Sequence, residues 1–308
     1  MATVGIFTSP ACSLHDMGDE HPESPARLDA IHDQLLSSGI EYILRFFDAP
    51  QATRAQLQLV HTPEYVESIF ARAPREGIEA LDEDTRMCPH TLNAALHAAG
   101  AAVNAVDKVI VGEIGSAFCS VRPPGHHAER DKAMGFCLFN NIAIAAAHAR
   151  AQHGLERVAI LDFDVHHGNG TEDFVAGREG YLLCSSFQSP YYPFTGTGEL
   201  PDNILNTPLE AGTEGAVLRE LVANQWLPAL EKFQPQMLFI SAGFDGHIED
   251  TMAQLRFRED DYRWVTEKLR EFADAHCAGR IVSALEGGYA LSALGRSVVA
   301  HLKGLIGS

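Results

Sequence analysis

The sequence has no uninterrupted apolar run long enough to span a bilayer, so no membrane-spanning helix and no membrane partner are expected. Residues 1–7 lack a basic segment followed by a longer apolar stretch and a small-residue cleavage site. They are expected to form a first β-strand and not a secretory signal. The cysteines (Cys12, Cys88, Cys119, Cys137, Cys184 and Cys277) contain no C-x-x-C pair. That excludes a zinc finger, a redox dithiol and a small disulfide-built scaffold, and points to the reducing cytoplasm. Positive charge is short, with 23 Lys and Arg against 41 Asp and Glu, and the net charge of −18 would repel a phosphate backbone. Direct nucleic-acid binding is therefore not expected. The same field weakly favours cationic ligands such as polyamines or lysine-rich peptides. Internal repeats, low-complexity tracts and Gly/Ser linkers are also missing, so residues 1–308 are expected to form a single domain, although the length would allow two.

What is present is the pattern of an α/β protein. Apolar, β-branched runs at 158–165 (VAILDFDV), 181–187 (YLLCSSF), 237–244 (MLFISAGF) and 281–285 (IVSAL) are expected as buried strands. Runs apolar on both faces suit a parallel sheet covered on both sides. Helical patterning at 89–106, 139–152, 214–233 and 260–276 alternates with them, which predicts an open, mainly parallel sheet in a three-layer α/β/α architecture. Asp162, Asp164 and His166 then fall at the end of one strand, Asp245 after another and Gly287-Gly288-Tyr289 after a third. The carboxyl ends of such strands are where ligands bind.

Four constellations carry chemistry. In Asp162-Phe163-Asp164-Val165-His166, alternate residues share one side if the strand continues, and two carboxylates in an apolar strand call for a cation or strong hydrogen bonds. Asp245, beside Gly243 and Gly246, supplies a third ligand, giving an Asp/His/Asp set with an open coordination position that suits zinc but also iron or manganese. In Arg122-Pro123-Pro124-Gly125-His126-His127, a stiff loop presents twin histidines that could serve as a metal pair or as general acid and base. His97, His148, His276 and His301, single on helical stretches, are expected to pack or face solvent. In Glu286-Gly287-Gly288-Tyr289, two glycines allow the loop to aim a hydroxyl at a developing oxyanion, a pattern that is common in turns when taken alone.

Together, and in this order, HPESPAR (21–27), RPPGHHA (122–128), GFCLFNN (135–141), DFDVHHGNGT (162–171), SAGFDGH (241–247) and LEGGY (285–289) resemble the signature blocks of the histone deacetylase superfamily. The resemblance implies an arginase/deacetylase-like fold and a zinc-dependent amidohydrolase. It implies Asp164, His166 and Asp245 as zinc ligands, His126 and His127 as the tandem catalytic histidines, and Tyr289 as the oxyanion-stabilising tyrosine. Phe136 and Tyr192, with Gly135, match the walls of an acyl-lysine tunnel. Tyr192 stands where a second phenylalanine is usual. A structural potassium ion is implied near Asp162, Asp164, His166 and Ser185. Asn169 occupies a position where class I members carry aspartate, so the chain resembles the class II-like branch, which includes bacterial amidohydrolases. A neutral Asn169 beside His127 should leave that imidazole more readily neutral and able to act as a base.

The expected reaction is hydrolysis of the amide of an acylated lysine peptide or an acylated small amine. Tyr289 would polarise the acyl carbonyl with the metal, His127 would take a proton from the attacking water, and His127 or His126 would protonate the departing amine. An acetylpolyamine amidohydrolase shares this chemistry, and a catalytically silent acyl-lysine reader is the non-enzyme alternative. Self-association into a homo-oligomer is left open.

Overall fold

The computed structural model describes residues 3–307; Met1 and Ala2, part of the expected first strand, lie outside the described residues. The strands are β1 (Val4–Thr8), β2 (Leu44–Asp48), a short antiparallel pair β3 (Glu79–Ala80) and β4 (Arg86–Met87), β5 (Ser116–Cys119), β6 (Val158–Asp162), β7 (Tyr181–Gln188), β8 (Ile204–Leu209), β9 (Leu238–Ala242) and β10 (Ile281–Leu285). Eight of them form one sheet in the order β2-β1-β5-β10-β9-β6-β7-β8. Every pairing in that sheet is parallel. Each residue of β5, β6, β9 and β10 is buried, because helices cover both faces.

The helices are α1 (Ala26–Ser38), α2 (Arg54–Leu57), α3 (Pro63–Arg72), α4 (Thr91–Ile110), α5 (Asn141–His153), α6 (Asn169–Val175), α7 (Gly215–Leu221), α8 (Leu227–Phe233), α9 (Glu259–His276) and α10 (Leu291–Ile306). α10 packs between α1 and α9, while α4 packs on α5, giving the three-layer α/β/α arrangement. Alanine makes the α4/α5 layer possible: Ala98, Ala102 and Ala105 on α4 and Ala143, Ala145 and Ala146 on α5 are all fully buried, and short side chains let helix and sheet approach closely. The expected helix at 214–233 is divided by a π-helical turn at Val222–Trp226. Pro228, two residues beyond it, has no N–H to continue an α-helical ladder. No helix among the described residues is long and apolar enough to cross a membrane.

Two expected strands end early. β9 stops at Ala242 and β6 at Asp162, where the chain turns because Asp162 Oδ1 accepts the N–H of Asp164 (3.0 Å) and Asp164 Oδ1 accepts the N–H of His166 (2.9 Å). Side-chain-to-backbone bonds of this spacing replace the strand ladder with consecutive turns. Phe163 is anchored below: its ring packs 6.0 Å from Phe244 and 5.7 Å from Tyr262, centroid to centroid. Burying each such ring contributes roughly 1.5–3 kcal/mol. The aromatic neighbours of Asp162, Asp164 and Asp245 thus anchor the loops while the carboxylates gather opposite.

Candidate active site

Five neighbouring strands, β5, β10, β9, β6 and β7, send the loops after their carboxyl ends to one place. Their side chains surround a cavity of about 230 Å³ lined by His126, His127, His166, Phe136, Tyr192 and Tyr289. Ligand atoms of Asp164, His166 and Asp245 all lie within 4.8 Å of one another, and all three residues are buried. His166 Nδ1 is 3.1 Å from Asp164 Oδ1 and 3.1 Å from Asp245 Oδ2. Glycine is required on two sides of this group. A Cβ on Gly243 would lie 2.0 Å from Asp164 Oδ2, and one on Gly287 would lie 2.0 Å from Asp245 Oδ2.

The donor set fits a divalent cation. Asp245 Oδ2 is buried and, apart from the approach of His166 Nδ1, has no partner among the described residues, although Oδ1 of the same carboxylate accepts the Val165 N–H at 3.0 Å. Burial, then the negative charge of Asp164, pushes the Asp245 carboxyl up to about 6. Against burial, the charge on His126 and a hydrogen bond from His166 hold Asp164 below the usual carboxylate range. Glu286, pushed up to about 7 by burial, adds a further carboxylate to the cluster. Buried negative charge of this density calls for a cation.

The twin histidines are held differently. His126 Nδ1 donates to Asp162 Oδ2 (3.0 Å), while its backbone N–H donates to Glu286 Oε2 (3.1 Å). Burial disfavours its charged form, but Asp164 and Asp162 outweigh that and raise it to about 10. His127 Nδ1 sits 2.7 Å from Asn169 Oδ1, which fixes the proton on Nδ1 and leaves Nε2 as an acceptor. Burial, reinforced by the charges of His126 and His166, pushes His127 well below its ordinary value. Asn169 is itself oriented by donating to Glu129 Oε1 at 2.7 Å.

The aromatic walls rest on unusual backbone. Gly135 and Phe136 both have positive φ (+56° and +68°), and a Cβ on Gly135 would meet the His127 ring at 2.3 Å. Phe136 stacks edge-on against His21 at 4.7 Å, and Tyr192 edge-on against His127 at 5.3 Å. Burial, and then the charge of Asp84, raises the Tyr192 phenol above its ordinary value. Tyr289 follows Gly288 (φ +123°), its ring lies 4.9 Å from the Arg27 guanidinium, and its N–H donates to Asp250 Oδ2 at 2.6 Å. Ser185 lies beside Asp162 across the β6–β7 pairing, and its buried hydroxyl has no hydrogen-bond partner among the described residues.

Of the residues singled out from the sequence, His126, His127, Gly135, Phe136, His166, Tyr192 and Tyr289 line the cavity, Asp164 and Asp245 meet His166, and Asp162 and Asn169 bond the twin histidines from behind. His97 bonds the Ala49 carbonyl, His276 stacks on Phe272 and His301 is bonded between Thr266 and Ser283, as expected of packing residues. His148 instead shares Asp107 with His153. Sequence reasoning missed Asp84, Tyr191 and Met252 in the lining, Asp250 behind Tyr289 and Glu286 behind His126. Glu286 had a signal, a carboxylate ending an apolar strand beside LEGGY; Asp84 reaches Gly135 across 51 positions and had none.

The histone deacetylase domain model matches residues 21–305. A protein of Synechocystis sp., slr0245, is 40% identical over 98% of this chain and 99% of its own length. The histone deacetylase-like amidohydrolase of Pseudomonas aeruginosa is 36% identical over 98% of this chain and 80% of its own. Among solved structures, the HDA15 HD domain superposes with a TM-score of 0.94 at 31% identity, covering 100% of this chain and 90% of that one. That likeness bears out the arginase/deacetylase-like architecture, and with the domain match over nearly the whole length the chain belongs to the histone deacetylase family of deacetylases and amidohydrolases.

Proposed function

We propose that this chain is a zinc-dependent deacylase that hydrolyses the amide of acetyl-lysine or a related acylated amine. The observation that carries this reading is the meeting of Asp164, His166 and Asp245 with His126, His127 and Tyr289 at the base of one aromatic-walled cavity. A zinc ion held by the three ligands would supply Lewis-acid polarisation of the acyl carbonyl and acidify water. His127, with Nδ1–H tied to Asn169, presents Nε2 to take the proton of the attacking water. His126, tied to Asp162, is the group that returns a proton to the departing amine. Tyr289 donates its hydroxyl to the oxygen on which negative charge develops. Phe136 and Tyr192 clasp the alkyl chain without demanding that it lose polar partners.

A lysine side chain is proposed as the amine because Phe136 and Tyr192 give the cavity aromatic walls and Met252 an apolar one, which suit an alkyl chain. A silent reader is disfavoured because each position needed for turnover is filled. Potassium is proposed beside Asp162, Asp164, His166 and Ser185, whose unpartnered hydroxyl offers a ligand atom. The whole length is proposed to act as one domain, and the six free, buried thiols suit the cytoplasm.

The test is the zinc-loaded protein against acetyl-lysine peptides, longer neutral and carboxylated acyl-lysines, and acetylpolyamines. The highest kcat/KM is expected on a neutral acyl-lysine. No turnover of any acylated amine would overturn the enzyme, and a preference for acetylpolyamines or carboxylated acyl groups would overturn the substrate assignment.

A further inference from the structure

Asp107 on α4 and His148 and His153 on α5 form a second cluster of metal-ligating side chains. Both imidazoles address one oxygen: His148 Nε2 lies 2.8 Å and His153 Nε2 2.7 Å from Asp107 Oδ1, with the two rings nearly perpendicular at 5.5 Å. An ordinary ion pair needs one histidine for a carboxylate. Two rings turned on the same atom, with Asp107 half exposed and His148 nearly buried, make a mouth open on its carboxylate side and rigid on its histidine side.

Its position adds to the attraction. α4 ends at Ile110 and α5 at His153, so Asp107 and His153 occupy the last turns of their helices. Two helix C-termini direct their partial negative charge at the same point. The nearby cations are engaged elsewhere: Lys108 pairs with Glu113 at 2.7 Å, and Arg150 bonds the Glu179 carbonyl at 2.9 Å and covers the Tyr181 ring. Because α4 leads into β5 and α5 into β6, these helix ends lie at the amino ends of the strands. The cavity lies at the opposite, carboxyl ends.

We propose that Asp107, His148 and His153 constitute a second metal site, taking Zn2+ or a similar imidazole-preferring transition ion and clamping α4 to α5. Two nitrogens and one oxygen select for such ions over magnesium or calcium, which prefer oxygen donors. A tetrahedral site with bonds near 2.0–2.1 Å separates its ligand atoms by about 3.3 Å. The present spacings of 2.7 and 2.8 Å need to open by only about half an ångström once the N–H protons leave. Water completes the coordination on the exposed side.

The test is a calorimetric titration of Zn2+ into protein already carrying its tightly held zinc, with metal content counted after gel filtration. Wild type is expected to bind one additional equivalent and to gain a few degrees in Tm. Asp107→Asn and His153→Gln, both at partly exposed positions, are expected to lose that equivalent, with unchanged metal at the catalytic cavity and unchanged Tm in chelator. Because the readout is the difference of one equivalent between variants and wild type, it does not depend on what occupies the cavity. The site is refuted if wild type takes up no additional equivalent, if both variants retain it, or if Mg2+ at the same concentration raises Tm as much as Zn2+.

Discussion

Replacing Tyr289 by Phe removes one hydroxyl and little else. The ring is held from three directions that do not involve the oxygen: the Arg27 guanidinium 4.9 Å from its centroid, the Phe136 ring at 6.0 Å and the Asp250 carboxylate on its backbone N–H. A phenylalanine keeps all three, so neither the loop nor the cavity wall should shift. What disappears is a donor whose interaction strengthens as charge moves onto the acyl oxygen, which lowers the barrier and not the ground state. One such donor contributes about 2.7–4 kcal/mol, so kcat on the best substrate should fall by about 10²–10³-fold while KM and metal content stay near wild type. Asp250→Asn offers a comparison, since it keeps the hydroxyl but weakens the anchor of residues 289 and 290, whose N–H groups lie 2.6 and 2.9 Å from Asp250 Oδ2. Steady-state kinetics with metal analysis decide the matter. A Tyr289→Phe protein with wild-type kcat would refute the oxyanion role, and one that had lost its metal would show that the ring had been misread as free of the ligand group.

Asp164→Ala or Asp245→Ala should abolish both zinc retention and hydrolysis, because each removes a buried donor from a three-residue set; full occupancy by elemental analysis in either variant would contradict the assignment. His127→Ala should keep its zinc and lose most turnover, whereas metal loss as severe as in His166→Ala would reverse the roles. His61 gives a pH dependence away from the cavity. Its Nδ1 bonds the Glu129 carbonyl and its Nε2 accepts the Asn140 N–H, both at 2.9 Å, and burial pushes it down to about 4. Since the folded value lies below the unfolded one of about 6.5, the unfolded chain binds the extra proton first, and stability is lost as pH falls from about 6.5 towards 4. In denaturant titrations His61→Gln should remove about 1.4 kcal/mol per pH unit from the slope in that window, and an unchanged slope would show that His61 does not carry it.

The parts of the site legible in the sequence were those whose chemistry is local. Asp162, Asp164 and His166 stood out because carboxylates ending an apolar run need compensation, and Tyr289 stood out because two glycines before it let a loop aim its hydroxyl; the close approach that requires Gly243 and Gly287 shows only in the structure. The four internal strand runs were found for the same reason: burial on both faces writes a continuous apolar string. What stayed hidden depends on distance in sequence. Nothing around Asp84 or Met252 marks either as lining the cavity, and the turn that ends β6 at Asp162 depends on side-chain oxygens reaching backbone N–H groups, which a run of apolar letters does not reveal. His148 looked like a packing histidine because Asp107, its partner, lies 41 positions away on another helix.

The same separation explains why the loops hold their geometry. Glu23, fully buried, accepts from Arg122 Nη2 at 2.6 Å and from Arg27 Nη1 at 3.1 Å, with His15 Nε2 at 3.3 Å. Arg122 opens the loop that carries His126 and His127. Arg27 bonds the Gly288 carbonyl at 2.7 Å as well as that of Glu286, and so braces the loop that carries Tyr289. Glu286 in turn reaches from that second loop to the N–H groups of Gly125 and His126, at 2.7 and 3.1 Å. The two loops are therefore tied by charge-assisted bonds below the cavity as well as by their strands. A buried set with two guanidinium groups on one carboxylate is intolerant: removing Glu23 would leave both cations uncompensated, a loss of roughly 3–5 kcal/mol. For the proposed deacylase, that rigidity would hold the Tyr289 loop, the His127 imidazole and the three proposed metal ligands in place before any substrate arrives, which is the condition under which oriented dipoles accelerate a reaction without reorganising.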